Sequence, residues 1–182
     1  IEFYVEKNKK LSATLLGRAE MYFPYIEPVL LNENLPLELK YLPVLETGLL
    51  PYAQSGAGAA GLWQFMEGTG SSYGLNITNA VDERRDPEKS TMAAAQYLKK
   101  LYSIYKDWTL VLAAYNCGDG TLNKALKKAE SNSYWDVQKY LPKQTQEFVP
   151  KFIAIAYMMN YYYLHDIETN TLHDDYKYTA TL

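Results

Sequence analysis

The chain has 182 residues, 48% apolar and 21% charged, and its 18 Lys and Arg against 21 Asp and Glu give a net charge of -3. That length and apolar content suit one globular domain that needs no metal or disulfide for stability, and they exclude general disorder. With no basic excess to displace counterions from phosphates, nucleic acid is not an expected partner.

The apolar spacing is mostly helical. Leu15, Ala19, Tyr22, Phe23, Tyr25, Ile26 and Val29 form a stripe that predicts a first helix over residues 12–31. Pro24 lies inside it and is expected to kink or split it. A break over 32–35 is followed by Pro36, suited to the first turn of a second helix carrying Leu39, Leu42 and Leu45. That helix is expected to bend at Pro43 and stop near Gly48. The small-residue tract 55–61 reads as a loop opening into a short helix over 62–66, and 69–81 reads as irregular. Asp86-Pro87 is a helix start, Asp as cap and Pro at the first helical position. Met92, Ala95, Leu98, Leu101 and Tyr105 then mark the buried side of a long helix. Asp107 is expected to cap the next helix, with Trp108, Val111, Leu112 and Tyr115 inward and Gly118 and Gly120 ending it. Thr121 is expected to cap another, running to about Glu130. A last helix is predicted from near Thr145 to Leu164, apolar at Val149, Phe152, Ile153, Ala156, Tyr157 and Met159. No strand is expected before the tail. The organisation is all-α, one domain over 1–165 and a polar tail or linker over 166–182 that alternates weakly at Tyr176, Tyr178 and Ala180.

The longest apolar runs, 110–115 and 152–159, fall well short of the roughly 18 residues of a membrane helix, so no transmembrane segment is expected. No signal peptide is read at the start. Of the 26 aromatic residues, 18 are tyrosine. A flat apolar ring with a hydroxyl at its edge suits the rim of a helical core, and for a few residues a ligand groove.

Three constellations are weak. Gly56, Gly58 and Gly61, with Asp82 some twenty residues on, fit a dinucleotide fingerprint, but no buried strand precedes them and no βαβ unit surrounds them. Cys117 with His165 or His173 is a conceivable thiol–base pair, yet the residues around Cys117 match no known cysteine-protease signature. His165, Asp166, His173, Asp174 and Asp175 lack the tight spacing of metal ligands, so neither a metal nor a cofactor is expected. Glu46 is more informative. It sits near a helix end between Leu42-Pro43-Val44-Leu45 and Thr47-Gly48-Leu49-Leu50. Apolar surroundings raise a carboxyl pKa and let it hold, then donate, a proton near neutrality. A lone Glu near a helix end is more often solvated and inert, so context decides.

That context comes from three segments. Leu35-Pro36-Leu37-Glu38-Leu39 with Leu42-Pro43-Val44-Leu45-Glu46-Thr47 is the first. Ala57-Gly58-Ala59-Ala60-Gly61-Leu62-Trp63-Gln64-Phe65-Met66 is the second, and Ala113-Ala114-Tyr115-Asn116-Cys117-Gly118 the third. In this order and spacing the chain resembles the lysozyme-like lytic transglycosylases, with the membrane-bound murein transglycosylase D group most similar, from about Tyr22 to Ile167. The resemblance implies a goose-lysozyme-like helical domain around a substrate groove. It implies action on peptidoglycan glycan strands in the bacterial cell envelope, periplasmic or outer-membrane-associated. The implied reaction cleaves the β-1,4 bond between N-acetylmuramic acid and N-acetylglucosamine and leaves a 1,6-anhydromuramyl end. Most glycosidases use two carboxyls. One suffices if it protonates the glycosidic oxygen and then takes the proton of the sugar's own 6-hydroxyl, because that attack is intramolecular.

By the same resemblance Glu46 is the catalytic acid/base. Thr47 stands where the family usually has serine, Gln64 matches a substrate-contacting glutamine, and Tyr115 and Asn116 match the family's Ala-Tyr-Asn motif. Gly58 and Gly61 let the backbone approach the sugar and the next helix closely. Trp63, where the family often has methionine, is open between a substrate contact and core packing. Phe148 and Gln144 depart from the tyrosine and glutamate usual in the last motif, Leu141-Pro142-Lys143-Gln144-Thr145-Gln146-Glu147-Phe148. The alternatives are a non-catalytic glycan-binding module, in line with those departures, and a hydrolase like goose lysozyme. The tail is compatible with a further wall-binding module beyond this sequence.

Overall fold

A computed structural model describes residues 1–170. The tail positions His173, Asp174, Asp175, Tyr176, Tyr178 and Ala180 lie outside the described residues. The described chain is all-helical: α1 Lys9–Asn32, α2 Leu42–Thr47, α3 Glu67–Ser72, α4 Pro87–Tyr105, α5 Trp108–Cys117, α6 Asp119–Ala129, α7 Tyr134–Val137 and α8 Lys143–Tyr161. A π-turn over Phe3–Lys7 and short 3-10 turns complete it. Extended pairing among the described residues is limited to isolated bridges, Gln54 with Ala60, Ala60 with Phe65 and Ile77 with Asp82. No helix among them is long and apolar enough to cross a membrane.

Two compact units divide the chain. One is Ile1–Ala95 with the described residues from Ala154 onward, and the other is Gln96–Ile153. In the first, α1 buries Leu15, Leu16, Ala19, Tyr22, Ile26 and Leu30, close to the expected stripe, while Tyr25 is exposed. Pro24 and Pro28 do not split α1. Both are exposed, so the helix carbonyls left without an N–H donor can meet water. After α1 the chain forms a 3-10 turn over Leu37–Tyr41 before α2. Pro43 therefore bends no helix. It occupies the first turn of a new one, where its missing N–H costs nothing. Gly48 ends α2 at φ 62°, the left-handed cap conformation, and Arg18 Nη1 donates to its carbonyl at 2.9 Å.

The predicted short helix is displaced. Residues 61–64 form a turn and Phe65 a bridge, and α3 begins only at Glu67 and runs into the tract read as irregular. Asp86 starts α4 as expected, its Oδ1 accepting from the amides of Glu88 and Lys89 at 3.0 and 2.9 Å. The buried side of α4 holds Ala95, Leu98 and Leu101, but Met92 is 56% exposed. Ser90 and Thr91 take inward places instead, by returning their hydroxyls to the carbonyls of Asp86 and Pro87.

In the second unit Asp107 caps α5, accepting from the amide of Leu110 at 2.9 Å. The core is made by Val111–Ala114 of α5, Leu122 and Ala125 of α6, Tyr134 and Val137 of α7, and Phe148, Val149 and Phe152 of α8. Gly118, not Thr121, is the N-cap of α6. Ile153 is exposed, contrary to its expected inward place. The buried Tyr134 hydroxyl donates to the carbonyls of Thr145 and Gln146 at 3.2 and 3.0 Å, tying α7 to the start of α8.

Candidate active site

The sequence-identified residues fall into two groups, one in each unit. In the first, Glu46 occupies the last turn of α2. Its side chain is half-buried, and no described residue hydrogen-bonds or ion-pairs its carboxyl. Burial alone pushes its pKa from 4.5 to about 7. At neutral pH such a group is present as both acid and base, the state that proton shuttling requires.

The neighbours of Glu46 act on the backbone. Thr47 Oγ1 lies 3.1 Å from the Pro43 carbonyl and 3.4 Å from the Leu62 carbonyl, and it accepts from the amide of Leu50 at 3.3 Å. The hydroxyl thus ties the end of α2 to the turn at 61–64. Gln64 sits in that turn at φ 51°, and its Nε2 donates to the carbonyls of Gly61 at 2.9 Å and Ala53 at 3.4 Å. Its amide oxygen has no donor among the described residues.

Gly61 is required by packing. Its φ is 81°, and a Cβ there would lie 1.7 Å from the Arg84 carbonyl oxygen. Gly58, at φ 89°, opens on empty space. Trp63 is fully buried with its Nε1 donating to Thr91 Oγ1 at 2.9 Å, which is the packing alternative.

Sequence reasoning missed the residue that organises this loop. Arg84 is 7% exposed and forms a two-pronged pair with Asp82, Nε to Oδ1 at 2.8 Å and Nη2 to Oδ2 at 2.7 Å. Its Nη1 donates to the carbonyls of Gly58 at 2.9 Å and Phe65 at 3.1 Å. The hydrogen bonds of Arg84 hold the Asp82 carboxyl below the usual range. Asp82, considered from sequence as a ribose-binding acid, is spent on this fork. The only available hint was an arginine inside the charge run Asp82-Glu83-Arg84-Arg85-Asp86, which reads as solvated surface.

In the second unit Tyr115 and Asn116 lie in the last turn of α5, both half-buried. The Tyr115 ring lies 5.4 Å from that of Tyr97. Asn116 Oδ1 accepts from the buried Thr145 hydroxyl at 2.9 Å, which anchors the end of α5 to α8 and leaves the amide donors of Asn116 without a described acceptor. Phe148 is 6% exposed and is a core residue of this unit, while Gln144 is exposed. Burial raises the Cys117 thiol pKa, which disfavours the reactive thiolate. No group of three or more His, Cys, Asp or Glu among the described residues is arranged to hold a metal. A groove of about 710 Å³ in the first unit is lined by Tyr22, Tyr25 and Tyr52 with Pro24, Pro51 and Arg85, and none of the motif residues lines it.

Comparison with known proteins is consistent across sequence and fold. The chain is 39% identical over 155 residues to the membrane-bound lytic murein transglycosylase D of Escherichia coli K12, covering 82% of this chain and 34% of that protein. It is 33% identical over 110 residues to the membrane-bound lytic murein transglycosylase F of Ectopseudomonas mendocina, covering 53% of this chain and 21% of that one. It therefore spans at most about a third of the length of these curated relatives. The 70 kDa soluble lytic transglycosylase of Escherichia coli shares its fold, with a TM-score of 0.67 at 20% identity over 85% of this chain and 26% of that chain. A family model described as the Transglycosylase SLT domain matches residues 26–138, more than half of the sequence, and the chain belongs to that family.

Proposed function

We propose that the chain is a peptidoglycan lytic transglycosylase of the bacterial envelope, in which Glu46 alone carries both proton transfers. The observation that carries this reading is a half-buried, partnerless carboxyl whose pKa of about 7 lets it start the reaction protonated. In the first step Glu46 gives its proton to the oxygen of the β-1,4 bond between N-acetylmuramic acid and N-acetylglucosamine, and the bond to the departing sugar breaks. In the second step the Glu46 carboxylate takes the proton of the muramyl 6-hydroxyl as that oxygen bonds to C1. The enzyme returns to its starting state and water is not consumed. The attacking group is part of the substrate, so little entropy is lost in bringing it to C1.

Thr47 is a positioning residue for the end of α2, through its contacts with Pro43, Leu62 and Leu50. Gln64 supplies an amide acceptor and Asn116 supplies amide donors, each suited to hydrogen-bonding sugar substituents. Tyr115 provides an aromatic face with a polar edge. Family membership supports the substrate class. The test is digestion of purified sacculi by the wild-type chain and by Glu46→Gln, with mass analysis of the products. Wild type is expected to release anhydro-muropeptides, and the variant to lose at least about a hundredfold, in line with removing a general acid/base. Undiminished release by the variant refutes the assignment of Glu46. Products heavier by one water assign a hydrolase, and binding without any product assigns a glycan-binding module.

A further inference from the structure

Charge is unevenly distributed along this chain. Residues 96–153, the second unit, hold nine lysines, no arginine and five acidic residues, a formal +4 in a chain whose total is -3. Five of those lysines, Lys124, Lys127, Lys128, Lys139 and Lys143, lie on α6, the 3-10 turn that follows α7, and the first turn of α8. All five are exposed. Lys143 pairs with Glu147 at 3.5 Å, whereas the other four have no acidic partner among the described residues.

Two of the ammonium groups share one aromatic ring. Lys128 Nζ lies 5.0 Å and Lys139 Nζ 5.1 Å from the centroid of Tyr140. Tyr140 thus gathers two ammonium groups at one point of the surface, where both can reach an anion beside the ring. Next to this pair is a groove of about 470 Å³ lined by Thr121, Lys124, Lys128 and Tyr140, with Leu141 and Pro142 as its apolar wall.

The chemistry of this face selects its occupant. Lysines are compact point charges on flexible stems, so they accept anions in many orientations, unlike the fixed fork of arginine. That suits carboxylates spaced along a polymer better than a single rigid anion. The exposed edge of Tyr140 and the Thr121 hydroxyl suit a polyhydroxylated chain. A bilayer fits less well: Leu141 is buried, and no large apolar side chain of the groove projects outward for insertion into lipid.

We infer that this face is a second attachment site for the substrate polymer, taking a carboxylate-bearing stretch of a peptidoglycan strand through Lys124, Lys128, Lys139 and Tyr140. The inference rests on the peptidoglycan reading above. It assigns recruitment to a local cluster, although the net charge of the chain disfavours attraction to an anionic wall.

The experiment uses the full chain carrying Glu46→Gln, so that the wall is not consumed. Co-sedimentation with purified sacculi is measured at rising NaCl, with and without Lys124→Glu/Lys128→Glu. A charge-matched control, Lys10→Glu/Lys100→Glu, changes exposed lysines elsewhere. Retention of the parent is expected to fall with salt. The Lys124/Lys128 variant is expected to lose at least fivefold in apparent affinity, and the control less than twofold. Sacculi whose carboxylates have been converted to neutral amides are expected to retain the parent as poorly as untreated sacculi retain the Lys124/Lys128 variant. Equal losses by the two double variants overturn the inference, because net charge alone would then account for binding. Full retention on amidated sacculi overturns it too, as does tighter binding to anionic phospholipid vesicles than to sacculi. Release of anhydro products by the chain with Glu46 intact tests the enzymatic reading separately, so either can fail alone.

Discussion

Replacing Glu46 by glutamine removes a titratable group whose pKa burial raises from 4.5 to about 7. The folded protein therefore binds this proton more tightly than the unfolded chain does. Below pH 4.5 the carboxyl is neutral in both states and costs nothing. As pH rises from there toward 7, the unfolded chain releases the proton while the folded protein must keep it or bury a charge, so stability declines. Above 7 the loss is complete. Its size is about 3 kcal/mol, from the rise from 4.5 to about 7 at roughly 1.36 kcal/mol per pH unit. Glutamine is close to isosteric and never charges. Glu46→Gln should thus match wild type at pH 4 and exceed it by about 3 kcal/mol at pH 8, a rise in Tm of roughly 6–12 °C for a chain of this length. Denaturant titrations of both proteins at pH 4, 5.5, 7 and 8 measure it. A stability difference that does not change between pH 4 and 8 refutes the reasoning, since the carboxyl would then titrate alike in both states.

With Glu46 as the proposed acid, the rate of anhydro-product formation should fall about tenfold per pH unit above about pH 7, where that carboxyl loses its proton, and a pH–rate profile on sacculi checks this. Gly61→Ala should be destabilised by about 3 kcal/mol or more, because its Cβ would fall on the Arg84 carbonyl oxygen, whereas Gly58→Ala, with open space around it, should cost only the roughly 1–2 kcal/mol of a left-handed residue; thermal melts separate the two. Arg84→Met should cost about 3–5 kcal/mol, because it removes the guanidinium that pairs with Asp82 and donates to the carbonyls of Gly58 and Phe65, and amide exchange should quicken over residues 53–65. Trp63→Phe should lose roughly 1–3 kcal/mol of stability with the KM for soluble glycan unchanged, because the indole is buried against Thr91.

Two helix starts were legible because a side chain satisfies a backbone donor locally, whereas the Asn8 cap of α1 went unread and that helix was expected only from residue 12. Asp86 and Asp107 announce α4 and α5 because an acid before the first helical turn has one favourable use there. What escaped reading was decided by distant contacts. Residues 62–66 look helical in composition, but Gln64 adopts φ 51° and Phe65 pairs with Ala60, and Arg84 fixes both ends of that turn from some twenty residues away. Met92 has the right spacing for the core yet is exposed, because Ser90 and Thr91 satisfy their hydroxyls within α4 and so can be buried at no polar cost. α7 has only four residues, too few for a periodic signal. The candidate acid was legible because its immediate neighbours are apolar. Its supporting frame was not, because that frame is made by backbone carbonyls, which every sequence has.

The same point explains how a half-buried carboxyl can be held in place without a partner. A hydrogen-bond donor aimed at the Glu46 carboxylate would orient it, but it would also favour the charged form and pull the pKa back toward the ordinary range. The orientation therefore has to come from elsewhere. Here it comes from the backbone on either side: the left-handed Gly48 cap held by Arg18, and the Thr47 hydroxyl bridging α2 to the turn at 61–64. Thr47→Ala isolates this effect. It deletes the bridge and leaves the apolar surroundings of Glu46 intact, so the midpoint of the pH–rate profile should stay near 7 while kcat falls. A midpoint displaced toward 4.5 would mean that the Thr47 contacts maintain the desolvation itself, and that position and pKa are not set independently.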